Sequence, residues 1–278
     1  MSEMELTFAH SPDTDDAFMF YGIKENAVQI EGVKITHYLG DIESLNQSAI
    51  KGIYPITAIS AHIYPYMDDK YYIMKAGASM GKRYGPVLVS EKPMSLKELR
   101  GKTIALPGAY TTATLLARIF LPDVRFVQLN FDHILRSIRS GKVDAGIIIH
   151  EGQITYEDQG FKKILDFGEV WAKETSNLPL PLGLDVIKKD LDIDLCKKIS
   201  MLLRDSIKYA YDNIDDAVMY ALQFGRGVKL ADGKQFVQMY VNDITLDMGE
   251  TGLSALKKLY ELAYKKGIIP KYPTLELV

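Results

Sequence analysis

The chain has 278 residues, enough for one large domain or two modest ones, with 47% hydrophobic and 25% charged residues. A formal net charge of -3 and the lack of a basic stripe interleaved with aromatic residues argue against a nucleic-acid-binding protein. The sequence has no apolar run of membrane-spanning length, no secretory leader pattern at its start, and one cysteine, Cys196. We therefore expect a soluble, cytoplasmic protein without internal disulfides that binds neither nucleic acid nor membrane.

The first part of the chain alternates strand and helix patterns. Apolar periodicity predicts strands at 6–10, 33–39 and 56–59. Helical spacing and turn residues predict helices at 17–21 and 42–51 and a helical turn at 61–66. Asp13 or Thr14, in the turn before the first helix, is the expected N-cap. The order is that of a βαβαβ unit.

The same order returns further along the chain. Strands are predicted at 102–106, 124–129 and 143–149, and helices at 111–120 and 131–139. Because a parallel return needs a crossover helix, two such units predict an α/β protein with two lobes, each built on a mostly parallel sheet. Extended apolar segments at 84–90 and 178–187 are the expected crossings between the lobes.

Helical patterns follow the second crossing and are expected to pack back on the first lobe. They cover residues 194–211, 214–224, 234–241 and 251–266. We predict a discontinuous lobe one, residues 1–88 and 185–278, and a lobe two, residues 89–184, with a cleft between the lobes.

Polar segments stand at the predicted ends of four strands, where ligands gather in open α/β sheets. These segments are 11–16, Ser60, Thr111-Thr112 and His150-Glu151. Helix starts, as at Ser60 and Thr111-Thr112, favour an anion, although Ser and Thr are also common caps without a ligand. His150 ends an apolar strand, where an imidazole can accept a proton near neutral pH or serve a structural role. Either a solute-binding protein or a cofactor-free enzyme acting on a small anion fits this pattern.

Other chemistries fit the sequence less well. The carboxylates of Asp13, Asp15 and Asp16 suit Mg²⁺, but helix capping explains them better because no second carboxylate cluster completes a metal shell. The histidines lack zinc spacing, and the chain has neither a phosphate loop nor a dinucleotide-binding glycine motif. A Ser-His-Asp hydrolase stays open, although Ser60 lacks the context of a nucleophile elbow. No metal and no organic cofactor are expected.

Five segments in the same order resemble the 1,4-dihydroxy-6-naphthoate synthase family of the futalosine route to menaquinone. They are Ser11-Pro12 with Asp16-Ala17-Phe18, Pro107-Gly108 with Thr111-Thr112-Ala113, Ile149-His150-Glu151 with Thr155-Tyr156, Leu178-Pro179-Leu180-Pro181-Leu182-Gly183, and Tyr240-Val241-Asn242 with Leu246-Asp247. The resemblance implies a type II fold similar to that of periplasmic binding proteins. It also implies a cofactor-independent carbon–carbon lyase that converts cyclic dehypoxanthine futalosine, a carboxylate, to 1,4-dihydroxy-6-naphthoate.

The resemblance implies His150 as the proton-abstracting base. It places a carboxylate-binding pair at Thr112 and Ala113 and a second substrate-binding segment at Ala58, Ile59 and Ser60. The polar segments at strand ends and helix starts add Ser11, Asp16 and Thr111 as candidate substrate-binding residues. Two positions depart from the family pattern: Ala58 stands where a lysine is expected, and the turn 13–16 replaces a Cys-Pro-Asn-Asp type. Chorismate dehydratase, of the same fold, and a non-catalytic solute-binding protein remain alternatives. The sequence fits either a monomer or a homodimer.

Overall fold

The computed structural model describes residues 3–121, 123–224 and 230–278. The strands are β1 (Met4–His10), β2 (Val33–Leu39), β3 (Ile56–Ser60), β4 (Tyr71–Ile73), β5 (Ser79–Gly81), β6 (Val87–Ser90), β7 (Thr103–Leu106), β8 (Arg125–Gln128), β9 (Ala145–Ile148), β10 (Lys162–Asp166) and β11 (Leu180–Lys188).

The α-helices are α1 (Thr14–Met19), α2 (Tyr21–Lys24), α3 (Ile42–Ile50), α4 (Thr112–Phe120), α5 (Ile134–Arg139), α6 (Gly152–Thr155), α7 (Phe167–Glu174), α8 (Ile193–Asp212), α9 (Ile214–Ala221), α10 (Leu230–Tyr240), α11 (Asp243–Leu246) and α12 (Gly249–Lys265). Short 3₁₀ turns cover Ala61–Tyr66, Leu96–Leu99 and Phe131–His133. Within the described ranges, no helix has both the length and the apolar character needed to cross a membrane.

The strands form two sheets, one in each lobe. Sheet one has the order β2-β1-β3-β11-β4, with β5 also paired to β11, and sheet two has the order β10-β6-β9-β7-β8. In each sheet the βαβαβ strands run parallel, whereas β11, β6 and β10 pair antiparallel to their neighbours. The sheets are therefore mixed rather than mostly parallel. The antiparallel strands reach their sheet without a crossover helix from a neighbouring strand, so nothing enforces a parallel direction.

The chain crosses between the lobes twice, first between β5 and β6 and then between α7 and β11. All of β6 pairs within sheet two, and β11 pairs along most of its length with strands of sheet one. The boundaries expected at 88/89 and 184/185 fall inside these two strands. Both crossings lie earlier in the chain, because a hydrogen-bonded strand stays with its sheet.

A shared apolar core joins the lobes below the cleft. One buried cluster contains Ile59 of β3 and Leu256 of α12 together with Leu88 of β6 and Leu115 of α4. Burial of apolar surface from both lobes stabilises their contact. A second cluster fills the other side of lobe one, where α8 buries Ile199 and neighbouring apolar residues at helical spacing. This packing brings the ends of β1, β3 and β9 and the start of α4 to one cleft.

Candidate active site

A cavity lies between the lobes, and its empty space is about 640 Å³ when the open solvent at its mouth is counted. Seven of the residues predicted from the sequence line it: Ser11, Asp16, Ser60, Thr111, Thr112, Ala113 and His150. They come from the turn after β1 and the first turn of α1, from the end of β3, from the turn after β9, and from the start of α4. The cavity thus collects the strand ends and the helix start that the sequence placed at a cleft.

Ala58 and Ile59 lie elsewhere. Ile59 is fully buried in the core shared by the lobes, and Ala58 packs in a small cluster with Ala9 and Leu45. Among the described residues that line the cavity, neither is present. Of the predicted segment 58–60, the structure brings only Ser60, at the end of β3, into the lining of the cavity.

Hydrogen bonds fix the end of β3 at the cavity. The Ser60 N–H donates to Asn46 Oδ1 at 2.8 Å, and Asn46 Nδ2 donates to Ser60 Oγ at 3.0 Å. Asn46 is fully buried on α3. The Ser60 hydroxyl therefore has its oxygen lone pairs partly engaged and keeps its own proton to donate toward the cavity.

The start of α4 is held as firmly. Thr112 Oγ1 donates to the Leu182 carbonyl at 2.6 Å and accepts the His62 N–H at 3.3 Å. Burial lowers the pKa of His62 to about 4, so the ring is neutral, and its Nδ1 donates to the Thr111 carbonyl at 3.1 Å. The Thr111 side chain caps the helix by accepting from Thr114 N. The first N–H groups of this nine-residue helix and its positive dipole end favour an anion in the cavity.

The turn after β1 and the first turn of α1 bring three carboxylates to the cavity lining, those of Asp13, Asp15 and Asp16. Burial and then the neighbouring carboxylates raise the pKa of Asp15 well above its ordinary value. Burial and the charge of Asp13 raise the pKa of Asp16 to about 6, against the hydrogen bonds from Ser11. Burial therefore favours the protonated form of both carboxyls more than an exposed site would. In the parts of the chain that the structure describes, no group of His, Cys, Asp and Glu is arranged to hold a metal ion.

His150 meets Asp13 across the cleft. Its Nδ1 lies 2.8 Å from Asp13 Oδ2, and the same carboxylate oxygen accepts the Ser11 hydroxyl at 2.6 Å. Phe131 packs edge-on against the imidazole, with ring centroids 4.9 Å apart. The backbone of His150 has φ 58°, a left-handed conformation that non-glycine residues seldom adopt and that clusters at functional sites.

Residues beside His150 add contacts between the lobes. Thr14 donates to Glu151 Oε1 through its hydroxyl at 2.7 Å and its backbone N–H at 3.3 Å. The Gln153 amide forms the most hydrogen bonds in the orientation in which its nitrogen donates to the Gly85 carbonyl at 2.6 Å and to Tyr240 Oη at 2.5 Å. Its oxygen then accepts the His150 N–H at 3.2 Å. These bonds fix the position of the β9 end against lobe one.

A further contact closes the side of the cavity near α4. The Glu43 carboxylate of α3 accepts the Tyr110 N–H at 3.0 Å. Gly108 makes the approach feasible, because its φ is 149° and a Cβ there would lie 2.5 Å from Glu43 Oε2. The lobes are therefore held together by hydrogen bonds on both sides of the cavity.

The sequence did not reveal the contacts that four residues make in this site. These residues are Asp13, Thr14, Gln153 and Tyr240. Asp13 was visible as part of an acidic turn, but its partner lies in the other lobe. Thr14 and Glu151, which bond directly, are 137 positions apart. These pairs become visible only in the structure, where the two segments lie next to each other.

Two lobes that close on a cavity define the class of this protein: it has the fold of the periplasmic binding proteins. An alkanesulfonate-binding protein from Xanthomonas axonopodis superimposes with a TM-score of 0.70 at 12% identity, covering 98% of this chain and 96% of that one. A Candida albicans protein described as showing the generic periplasmic binding protein fold gives 0.69 at 12% identity, covering 99% and 98%. The expected two-lobed α/β fold of the periplasmic-binding-protein type is confirmed, with sheets that are mixed rather than mostly parallel.

The chain belongs to the menaquinone biosynthesis family, whose model matches residues 6–265. A Thermus thermophilus protein named 1,4-dihydroxy-6-naphtoate synthase is 32% identical over 268 residues, covering 96% of this chain and 97% of the relative. A Streptomyces coelicolor protein of the same name is 30% identical over 277 residues, covering 97% and 96%. A solved Archaeoglobus fulgidus structure is 46% identical with a TM-score of 0.91, covering 95% and 98%. These findings confirm the family resemblance and support an enzyme.

Proposed function

We propose that the chain is a carbon–carbon lyase that converts cyclic dehypoxanthine futalosine to 1,4-dihydroxy-6-naphthoate, with His150 as the base. The observation that carries the proposal is the placement of the His150 imidazole and the α4 start in the lining of one cavity. The names of the Thermus and Streptomyces relatives support the product. The substrate is a carboxylate, which suits a helix start as its anchor.

Each residue of the cavity has a separate role in the proposed reaction. The N–H groups at Thr112 and Ala113 hold the substrate carboxylate, and the Ser60 hydroxyl donates beside them. Nδ1 of His150 donates to Asp13, so the Nε2 lone pair takes the proton whose removal starts the fragmentation. The closed lobes keep water away from the charged intermediate. The proposal uses side chains and backbone alone, without a cofactor.

Charge explains how the substrate is oriented. Three ionised carboxylates in the turn 13–16 would repel an anionic group, while the α4 start attracts it. Burial raises the pKa of Asp15 and of Asp16, which makes protonation of these carboxyls easier, and a protonated carboxyl can donate to uncharged oxygens of the substrate. The carboxylate therefore lies at α4, and the oxygen-rich remainder lies toward the turn.

The proposal is tested by incubating purified protein with cyclic dehypoxanthine futalosine and following formation of the naphthoate. His150→Asn is the sharpest variant, because Asn tolerates left-handed backbone and its amide can replace Nδ1–H at Asp13. We expect kcat to fall by roughly 10²–10⁴, the span of general acid–base catalysis. Unchanged turnover in His150→Asn would remove His150 from the reaction.

The same protein is offered chorismate, with loss of its enolpyruvyl group as the readout. Turnover of chorismate instead of the cyclic substrate would favour chorismate dehydratase. Binding of the cyclic substrate by the wild type without any product would instead favour a solute-binding protein. Naphthoate formation by the wild type excludes both as the principal function.

A further inference from the structure

We infer that Asp13 is the positioning residue of the base: lobe one supplies the carboxylate that orients the imidazole from lobe two, so the base is complete only when the lobes are closed. This inference rests on the proposed function in so far as His150 is the base. It adds a residue and a conformational condition that the proposed reaction alone does not require.

The hydrogen bonds around Asp13 fix both its position and the proton on His150. Ser11 Oγ donates to Asp13 Oδ2 at 2.6 Å and accepts the Asp13 N–H at 3.1 Å, which holds the carboxylate in a tight turn. The carboxylate is buried, with 4% of the Asp13 surface exposed. An ionised carboxylate only accepts, so the proton of the bond to His150 lies on Nδ1. The second ring nitrogen, Nε2, is therefore the one with a lone pair for the substrate.

A second hydrogen-bonded pair joins the lobes directly beside the pair of Asp13 and His150. Asp13 and Thr14 are consecutive where the turn after β1 enters α1, and they contact the consecutive residues His150 and Glu151 in the turn after β9. The left-handed backbone of His150 lies in that turn, between β9 and α6. Any opening of the lobes separates both pairs together.

This arrangement couples proton abstraction to closure. In an open protein His150 lacks the carboxylate that selects its tautomer and stabilises the imidazolium formed after proton transfer. In the closed protein the base is oriented at the moment when the cavity is sealed from water. A substrate that does not close the lobes is not deprotonated.

The kinetic test uses Asp13→Asn, which keeps the shape of the side chain and removes its charge. We expect kcat to fall at least tenfold, within the span of acid–base catalysis, with little change in KM. The acid limb of the kcat/KM profile should move to lower pH, because an imidazolium that loses a facing carboxylate gives up its proton more readily. Asp16 interacts with His150 by charge, Asp15 interacts by charge with Asp13, and Glu151 follows His150 in the chain; all three carboxyls remain in the variant.

Asp41→Asn is the matched control. Asp41 is the N-cap of α3, where its carboxylate accepts from Ser44 N, and Asn caps a helix equally well. Its kcat, KM and pH profile should equal those of the wild type. Ser11→Ala, which removes the hydrogen bond to the Asp13 carboxylate and the acceptor of the Asp13 N–H, should also lower kcat, by a smaller factor.

Nuclear magnetic resonance of the protein with ¹⁵N-labelled histidine tests the pair without turnover, in the presence of a non-reacting naphthoate that closes the lobes. His150→Asn identifies the His150 signals among those of the five histidines. We expect the Nδ1–H tautomer of His150 in the wild type, and a lower imidazole pKa in Asp13→Asn.

The two readouts separate the possible failures. If the wild type makes no naphthoate from the cyclic substrate, the proposed function fails. The tautomer of His150, read by magnetic resonance, still shows whether the imidazole pairs with Asp13. If the wild type turns over and Asp13→Asn keeps its kcat and pH profile, the inference is overturned. An Nε2–H tautomer in the wild type overturns it as well, even if Asp13→Asn does not fold.

Discussion

Two parts of the cavity wall differ in what they offer a ligand. The α4 start presents backbone donors, held in place by Thr112 and the neutral His62. The turn 11–16 presents carboxylates, one of which pairs with His150. The first part suits a stable negative charge, and the second suits a group that gives up or shares a proton. We therefore expect anchoring and chemistry to reside in separate elements, which substitutions can distinguish.

The largest effect is expected at the base. His150→Asn should lower kcat by roughly 10²–10⁴ while the anchor stays intact. The measurement is the rate of naphthoate formation at saturating substrate. A comparable loss of kcat in a variant of the α4 start would contradict the separation.

A smaller effect is expected when the closing contact beside the base is removed. Glu151→Ala removes the acceptor of two hydrogen bonds from Thr14, and bonds to a charged group contribute about 1.5–3 kcal/mol. We expect kcat/KM to fall by about ten- to a hundredfold, because the closed state is weakened.

Glu169→Gln is the control for this loss of a carboxylate in lobe two. Glu169 forms an exposed ion pair with Lys163, and such pairs contribute little to stability. Its kcat/KM should stay within about twofold of the wild type. Equal values for Glu151→Ala and Glu169→Gln would show that the Thr14–Glu151 contact has no part in closure.

The anchor should respond in KM rather than kcat. Thr112→Val keeps the side-chain shape but removes the bond to the Leu182 carbonyl and the acceptor for the His62 N–H. Loss of a neutral hydrogen bond costs about 1 kcal/mol, so we expect KM to rise five- to tenfold with kcat nearly unchanged. A drop in kcat with unchanged KM would place Thr112 with the chemistry instead.

The smallest effect concerns stability and its pH dependence. Burial raises the pKa of Asp16 from its ordinary 3.8 to about 6, so the folded protein holds this proton more tightly than the unfolded chain. Between these values stability falls as pH rises, and the cost persists above pH 6. Asp16→Asn can still accept from the Ser11 N–H but carries no charge. The variant should melt near the wild-type temperature at pH 4 and above it at pH 7.5.

Calorimetric melting curves at the two pH values provide the measurement. The contrary result is a variant whose melting temperature lies below that of the wild type by the same amount at pH 7.5 and at pH 4. It would show that burial does not disfavour the charged form of Asp16.

The sequence predicted the elements that carry the site because their signals are local. Apolar strands before Ser60 and His150 and the cap at Thr111 appear in short windows of sequence. The three-residue strands β4 and β5 were missed, since three residues are too few to show a period. The pairing of Asp13 with His150 depends on how two lobes close, which no local pattern encodes.

Ala58 and Ile59 show a different limit. They were placed at the site through a resemblance of segments, which does not tell which side chains of a strand reach a cavity. In the structure every residue of β3 is buried, and only its last residue lines the cavity. The alanine at the expected lysine position packs against Ala9 and Leu45, where a charged side chain would carry a large desolvation cost.

The most direct test of the separation is the dissociation constant of the cyclic substrate for His150→Asn, measured by titration calorimetry. The account predicts a value within about threefold of the wild-type KM, because the α4 start still holds the carboxylate. Binding weakened by the same factor as turnover would contradict it, and would show that one group of residues both anchors and transforms the substrate.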